Sequence, residues 1–351
     1  MILHSAFCIL HSMARSLRLL YLLEDTSLSG GTRVVLAQAD ALIARGHQVT
    51  LATRGAPLHW RHSSADWIYA GDLTEIDAGT FDLVIGTFWT TLFPAWKLAG
   101  PRAVHLCQGY EGLFTAYQDV RDEIDAAYRL PIPKLVVSPS LVEVIARFGA
   151  PVALAGQIVD EEFYRSATPE PNDPPRVLLA GAAQIDFKGI DVGYGAVTHA
   201  RHFGATFRLV RVSPWAPAGE EPARELADEF HVGLDAPAMR ALVHGCDLFL
   251  GPSRKEEGFG LPAAEAMASG LPAALTRIPS FSSFDSRQDY ALFADEDDAA
   301  GLGDALIRLL EDEALRRTLS ERGREVAEQF RPEKTAARLE SFFLRRLQEI
   351  G

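Results

Sequence analysis

The chain has 351 residues, 48% hydrophobic and 23% charged, with a formal net charge of −13. That length suits two domains of roughly 150 residues better than one core, and no apolar run approaches the roughly 20 residues of a membrane helix. The acidic balance excludes a nucleic-acid binder working through bulk charge.

The charge is uneven: residues 1–150 carry 12 Lys and Arg against 14 Asp and Glu, and the remainder 22 against 33. A near-neutral first half is compatible with peripheral contact at the inner face of a membrane, although no polybasic run marks one. Cys8, Cys107 and Cys246 are odd in number and far apart, which suits a reducing cytoplasm and neither a disulfide framework nor a metal knuckle. The opening "MILHSAFCILHSM" lacks a basic n-region and a cleavage site. Residues 1–13 are therefore expected to be a disordered start, with Met13 as the initiator.

"LRLLYLLED" (17–25) is a continuous apolar run of the kind buried in parallel sheets. "SLSGG" follows, then a helical stretch with Val35, Ala39, Leu42 and Ile43 on one face and a stop at Gly46. Further short buried strands read at 47–53, 81–87, 102–108 and 134–140. "RSATPEPNDPPR" (165–176) has four prolines and no periodicity, and reads as a linker. Alternation then resumes with strands at 176–181, 206–212, 246–253 and 272–276. In the last helix, Leu339, Phe342, Phe343, Leu347 and Ile350 form one apolar stripe.

Strands alternating with helices on both sides of a linker predict an α/β protein of two Rossmann-like, doubly wound parallel-sheet domains facing a cleft. The expected boundaries are 1–165, 166–330 and a helix at 331–351 returning to the first domain.

The stretch "RKEEGFGLPAAEAMASG" (254–270) joins a strand to a helix through a glycine loop. Pro262 near the helix start and Gly270 past its end match helix polarity. Gly258 and Gly260 let backbone approach a ligand without a Cβ in the way. Free amides at the helix start favour a phosphate, and Glu265 is of the type that accepts bonds from a ribose diol. A lone glutamate here would more often serve only the helix dipole.

The whole string resembles the donor-site signature of the retaining glycosyltransferases of family 4, whose architecture is the two-domain GT-B fold. In that family a serine ends a strand, a glutamate precedes Gly-Phe-Gly-Leu-Pro, and a second glutamate follows eight positions later. Here these are Ser253, Glu257, Gly258, Phe259, Gly260, Leu261, Pro262 and Glu265. One extra residue separates Ser253 from Glu257 relative to the commonest spacing. "SGGTRVVLAQADALIARGHQVTLAT" (29–53) resembles the family's first loop and helix, and residues 297–330 its closing helices.

The resemblance implies that Glu265 binds the nucleotide ribose and that Glu257 faces the transferred sugar. It implies that Gly30 and Gly31 offer amides to the diphosphate and that Lys188 of "FKG" neutralises it. It further implies a hexosyl- or deoxyhexosyltransferase that takes a nucleotide diphosphate sugar, keeps the anomeric configuration and needs neither metal nor cofactor. The acceptor would be a glycan, a lipid-linked molecule or a small molecule. "LCQGYEG" (106–112) is similar to a box in bacterial cell-surface polysaccharide enzymes, and sets Gln108, Tyr110 and Glu111 on the acceptor side.

Two departures keep other readings open. The arginine that usually precedes the lysine is replaced by Ala182 and Ala183, with Arg254, Lys255 and Arg211 as the substitutes in reach. An accessory subunit that binds nucleotide sugar, or an epimerase of the same architecture, fits the same residues. "DED" (295–297) mimics a metal motif but reads as a helix cap.

Overall fold

A computed structural model describes residues 15–165, 171–217 and 226–351. The expected start at 1–13 lies outside the described residues, as do positions 166–170 of the expected linker. Two parallel sheets organise the chain. The first contains β1 (Arg18–Leu23), β2 (Gln48–Thr53), β3 (Asp66–Tyr69), β4 (Leu83–Gly86), β5 (Ala103–Cys107), β6 (Lys134–Val136) and β7 (Val152–Leu154), in the order β3-β2-β1-β4-β5-β6-β7. The second contains β8 (Arg176–Ala180), β9 (Arg208–Ser213), β10 (Glu229–Val232), β11 (Leu248–Gly251), β12 (Ala273–Thr276) and β13 (Leu292–Ala294), ordered β10-β9-β8-β11-β12-β13. This is the expected fold class, with the switch point between β1 and β4 in one sheet and between β8 and β11 in the other.

The strands that sequence reading missed are β3, β7, β10 and β13, the edges of the two sheets. Their side chains are mostly half-buried or exposed, so they lack the continuous apolar run that marks a central strand. By contrast, five of the six residues of β1 are buried.

Helices α1 (Gly30–Ala44), α2 (Trp89–Ala99), α3 (Arg121–Tyr128) and α4 (Pro139–Ala146) accompany the first sheet. Helices α5 (Ile190–His202), α6 (Ala236–His244), α7 (Leu261–Ala268), α8 (Ala299–Glu311) and α9 (Glu313–Ala327) accompany the second. Ser29 caps α1 by accepting from the Thr32 amide. Asp298 caps α8 through the Gly301 amide, while Asp297 takes Arg254 and Glu296 takes the Lys255 amide. The acidic run at 295–298 thus fixes a helix start and the loop at 254–255.

One hydrophobic core runs from the first sheet through Phe259, Leu261 and Ala263 into the second half. A smaller one fills the space between the second sheet and α5 and α8. The last helix, α10 (Pro332–Ile350), lies against α1. It buries Leu339 and Phe343, and its Glu340 takes Arg45 and His47 just past α1. Among the described residues no helix is long and apolar enough to cross a membrane.

Candidate active site between the two sheets

A cavity of about 1140 Å³ is lined by the segments that leave the carboxyl ends of β1, β4, β5, β8, β9 and β11. All six face one space, as open α/β sheets place their ligands. Helices α2 at Trp89 and α6 at Ala236 begin at it, as do α1 at Gly30 and Gly31 and α7 at Leu261, all of them lining residues. The amides and aligned dipoles of α1 and α7 make the wall between them receptive to anions.

Lys188 ends a short turn after β8, and its Nζ donates to Glu257 Oε2 at 2.6 Å. Ser253 Oγ donates to the same oxygen at 3.2 Å from a buried position behind it. Residues 69 positions apart are thereby joined at the cavity wall. The turn that presents Lys188 depends on Gly189, whose φ is +58°. A Cβ there would stand 2.0 Å from the Pro252 carbonyl oxygen.

The glycines of the 258–260 loop have a second use. A Cβ on Gly258 would stand 2.1 Å from the Gln108 carbonyl oxygen, in the other half of the molecule. Ser138 Oγ donates to the Gly258 carbonyl at 2.7 Å. Gly260 has φ +89°, and a Cβ on it would strike the Phe281 ring at 2.2 Å. Phe259 is buried against Phe284 and Phe330, with ring centroids 5.0 Å away in each case. The loop is therefore both a cavity wall and a junction of the two halves.

Glu265 sits one turn into α7 and is 1% exposed. It lies behind the lining residues rather than among them, with Oε1 bonded to Arg33 and Oε2 buried without a hydrogen-bond partner. Burial pushes its carboxyl above the ordinary range against the pull of Arg33. Arg33 belongs to the first turn of α1, lines the cavity, and also lies 3.9 Å from Asp160, which holds Arg61. Sequence reading overlooked Arg33. The available signal was a cation in the first turn of a helix, where the dipole disfavours it unless a carboxylate compensates.

Of the residues set on the acceptor side, Gln108 lines the cavity and donates from Nε2 to the Gly31 carbonyl at 3.2 Å. Glu111 also lines it, and accepts from the Tyr128 hydroxyl at 2.5 Å. Burial pushes its carboxyl up to about 7. Tyr110 does not reach the cavity. Its ring is 1% exposed and packs on Tyr128 and Phe148, each 5.3 Å away, with Arg147 over its face. Its hydroxyl donates to Asp125. The acceptor-side placement expected for Tyr110 does not hold, because its ring is part of the core beneath the loop.

The substitutes for the missing arginine separate. Arg211 is buried within β9 and donates to the Val212 carbonyl. Arg254 lines the cavity, tied to Asp191 and Asp297 at 2.7 Å each.

Residues 222–326 match the family model "Glycosyl transferases group 1". Over 98 residues the chain is 41% identical to the N-acetyl-alpha-D-glucosaminyl L-malate synthase of Bacillus anthracis, a match spanning 28% of this chain and 26% of that protein. Solved structures match far more of the length. Sucrose-phosphate synthase from Thermosynechococcus elongatus superposes with a TM-score of 0.75 at 20% identity, covering 96% of this chain and all of that one. Anabaena HepE in complex with UDP-glucose gives 0.73 at 14% identity, covering 95% and 100%. At such identities the likeness is one of fold. Residues 222–326 are thus similar to the group 1 glycosyl transferases, and the chain as a whole has the two-sheet GT-B fold of the solved structures it matches.

Proposed function

We propose that the protein transfers a sugar from a nucleotide diphosphate sugar to a hydroxyl acceptor, with retention of configuration and without a metal ion. The observation that carries this reading is the Lys188–Glu257 pair, set at 2.6 Å on the wall where the amino ends of α1 and α7 meet one cavity. A diphosphate fits between two helix starts and a lysine. The names of structural neighbours crystallised with UDP and UDP-glucose agree with such a donor.

In the reaction the acceptor oxygen attacks the anomeric carbon from the face the diphosphate leaves. The bond from that carbon to phosphate oxygen breaks with its electron pair going to the phosphate, and the acceptor's proton passes to the same phosphate. Lys188 and the amides around Gly258–Gly260 and Gly30–Gly31 stabilise the growing negative charge. With Lys188 turned to the diphosphate, Glu257 is released to hold the sugar hydroxyls. Glu265 Oε2, buried behind the wall without a partner, becomes the acceptor for a ribose hydroxyl when Arg33, which lines the cavity and holds Oε1, moves aside.

Incubating the purified protein with UDP-, GDP-, ADP- and dTDP-sugars and a glycoside panel tests the reading. Nucleotide release that depends on acceptor, a product with the donor's anomeric configuration, and full activity in EDTA are expected. Release without acceptor would assign an epimerase or hydrolase instead, and strict metal dependence would remove Lys188 as the counter-charge.

A further inference from the structure

The first-sheet side of the cavity has a composition unlike the donor side. Trp89, Phe88, Tyr117 and Phe114 follow one another with ring centroids 6.1–6.3 Å apart, all half-buried and all lining the cavity. The run ends on Phe187 of the second half, 4.8 Å from Phe114, and Lys188 Nζ lies 5.1 Å from the Phe187 centroid. A ligand resting on these rings is led directly to the Lys188–Glu257 pair.

The charges beside the rings are of one sign. Glu24, Asp25 and Glu111 line the same side, and all three bear on the Tyr117 hydroxyl, which burial and then these carboxylates push above its ordinary value. Every lysine and arginine among the described lining residues already has a carboxylate. Arg33 holds Glu265, Lys188 holds Glu257, and Arg254 holds Asp191 and Asp297. Of the three carboxylates, Glu24 alone has a nearby cation, Arg54 at 3.3 Å.

We propose that the acceptor is a non-anionic sugar unit that lies on the Trp89–Phe88–Tyr117–Phe114 face and offers its hydroxyl at Lys188 and Glu257. The ring faces carry the negative end of the aromatic quadrupole, which attracts the C–H face of a pyranose and repels an anion. An acceptor carboxylate or phosphate brought into this lobe would be desolvated beside the Glu24 and Asp25 carboxylates and the buried Glu111 carboxyl, with no uncommitted cation among the described lining residues to receive it. The B. anthracis relative is named for malate, a dicarboxylate. Its match covers only 98 residues, and this chain's acceptor lobe suits a different class. The inference rests on the transferase reading for its reaction, but its binding claim stands apart from the donor.

Saturation-transfer NMR with methyl α-glucoside, maltose, methyl glucuronide and L-malate, each run with and without UDP, tests it. The glucoside and maltose should show contact, with both anions at least about tenfold weaker. Trp89→Ala and Tyr117→Ala should weaken the uncharged sugars roughly three- to tenfold, and Tyr117→Phe, which keeps the ring, should preserve them. Replacing Glu24, Asp25 and Glu111 together by their amides should bring methyl glucuronide close to the glucoside. Malate or glucuronide binding as well as the glucosides, indifference to the ring substitutions, or contact by no member of the panel would overturn the proposal. Failure of UDP to bind while the glucosides still contact the rings would count against the donor reading alone.

Discussion

The two walls of the cavity differ in how they are built. The wall proposed for the donor, at 188 and 256–262, is made of glycines, a lysine and a glutamate, and offers backbone amides and two charges. The wall proposed for the acceptor, at 24–25, 87–90 and 108–117, is made of rings and carboxylates drawn from several connecting segments. A diphosphate presents the same charge and shape whatever sugar it carries, so its receptor is constrained to short helix starts and local spacing. An acceptor is recognised by the shape of a surface, and shape is assembled from residues that have no fixed spacing.

The substitutions that sharpen this contrast begin with Glu265→Ala. It leaves Arg33 buried with its main partner gone, so stability should fall by about 3 kcal/mol, read as a lowered midpoint in urea. If the ribose reading holds, affinity for the preferred nucleoside diphosphate should also fall by on the order of 1.5–3 kcal/mol. Arg33→Met combined with Glu265→Leu should recover stability but not affinity. Recovery of both would make Glu265 a strut between the halves and nothing more.

On the donor wall, Glu257→Gln should cost about 10²–10³ in turnover without abolishing it, as a lost electrostatic contact does. Lys188→Ala should cost at least as much. A covalent glycosyl adduct on Glu257, found by mass spectrometry, would replace same-face attack by a double displacement. Gly258→Ala tests the junction of the two walls. Its methyl would press on the Gln108 carbonyl, so a loss of about 1–3 kcal/mol is expected, with both walls displaced.

The last effect concerns the Glu111 side of the cavity alone. Burial raises the Glu111 carboxyl from an ordinary 4.5 to about 7. Between those values the folded protein holds a proton that the unfolded chain releases, so stability falls as pH rises through that window and is level above it. Glu111→Gln should remove that fall, seen as flatter unfolding midpoints between about pH 4.5 and 7. An unchanged slope would mean that the carboxyl is hydrated.

The Lys188–Glu257 wall was largely legible in the sequence because its loop is contiguous: Glu257 and the glycines follow one another, with Ser253 and Glu265 behind them, all within 13 residues, and Lys188 follows a strand. The central strands were legible for the same reason, as unbroken apolar runs. What escaped depends on partners distant in the chain. Arg33 gains its meaning from Glu265, 232 positions away. Gly258 is a glycine for the sake of Gln108 as much as for any ligand. Tyr110 and Glu111 are neighbours in one turn, yet one is core and the other faces the cavity, a division set by the packing of Tyr128 and Phe148. The edge strands escaped because half-exposed edges need no apolar run.

The central claim is that the Lys188–Glu257 wall grips a nucleoside diphosphate. Calorimetric titration of UDP, GDP, ADP and dTDP into the wild-type protein and Lys188→Ala tests it most directly. One diphosphate should bind the wild type, and lose on the order of 10–10² in affinity with the lysine, the worth of hydrogen bonds to a charged group. Binding that is absent for all four, or that Lys188→Ala leaves unchanged, would contradict the account.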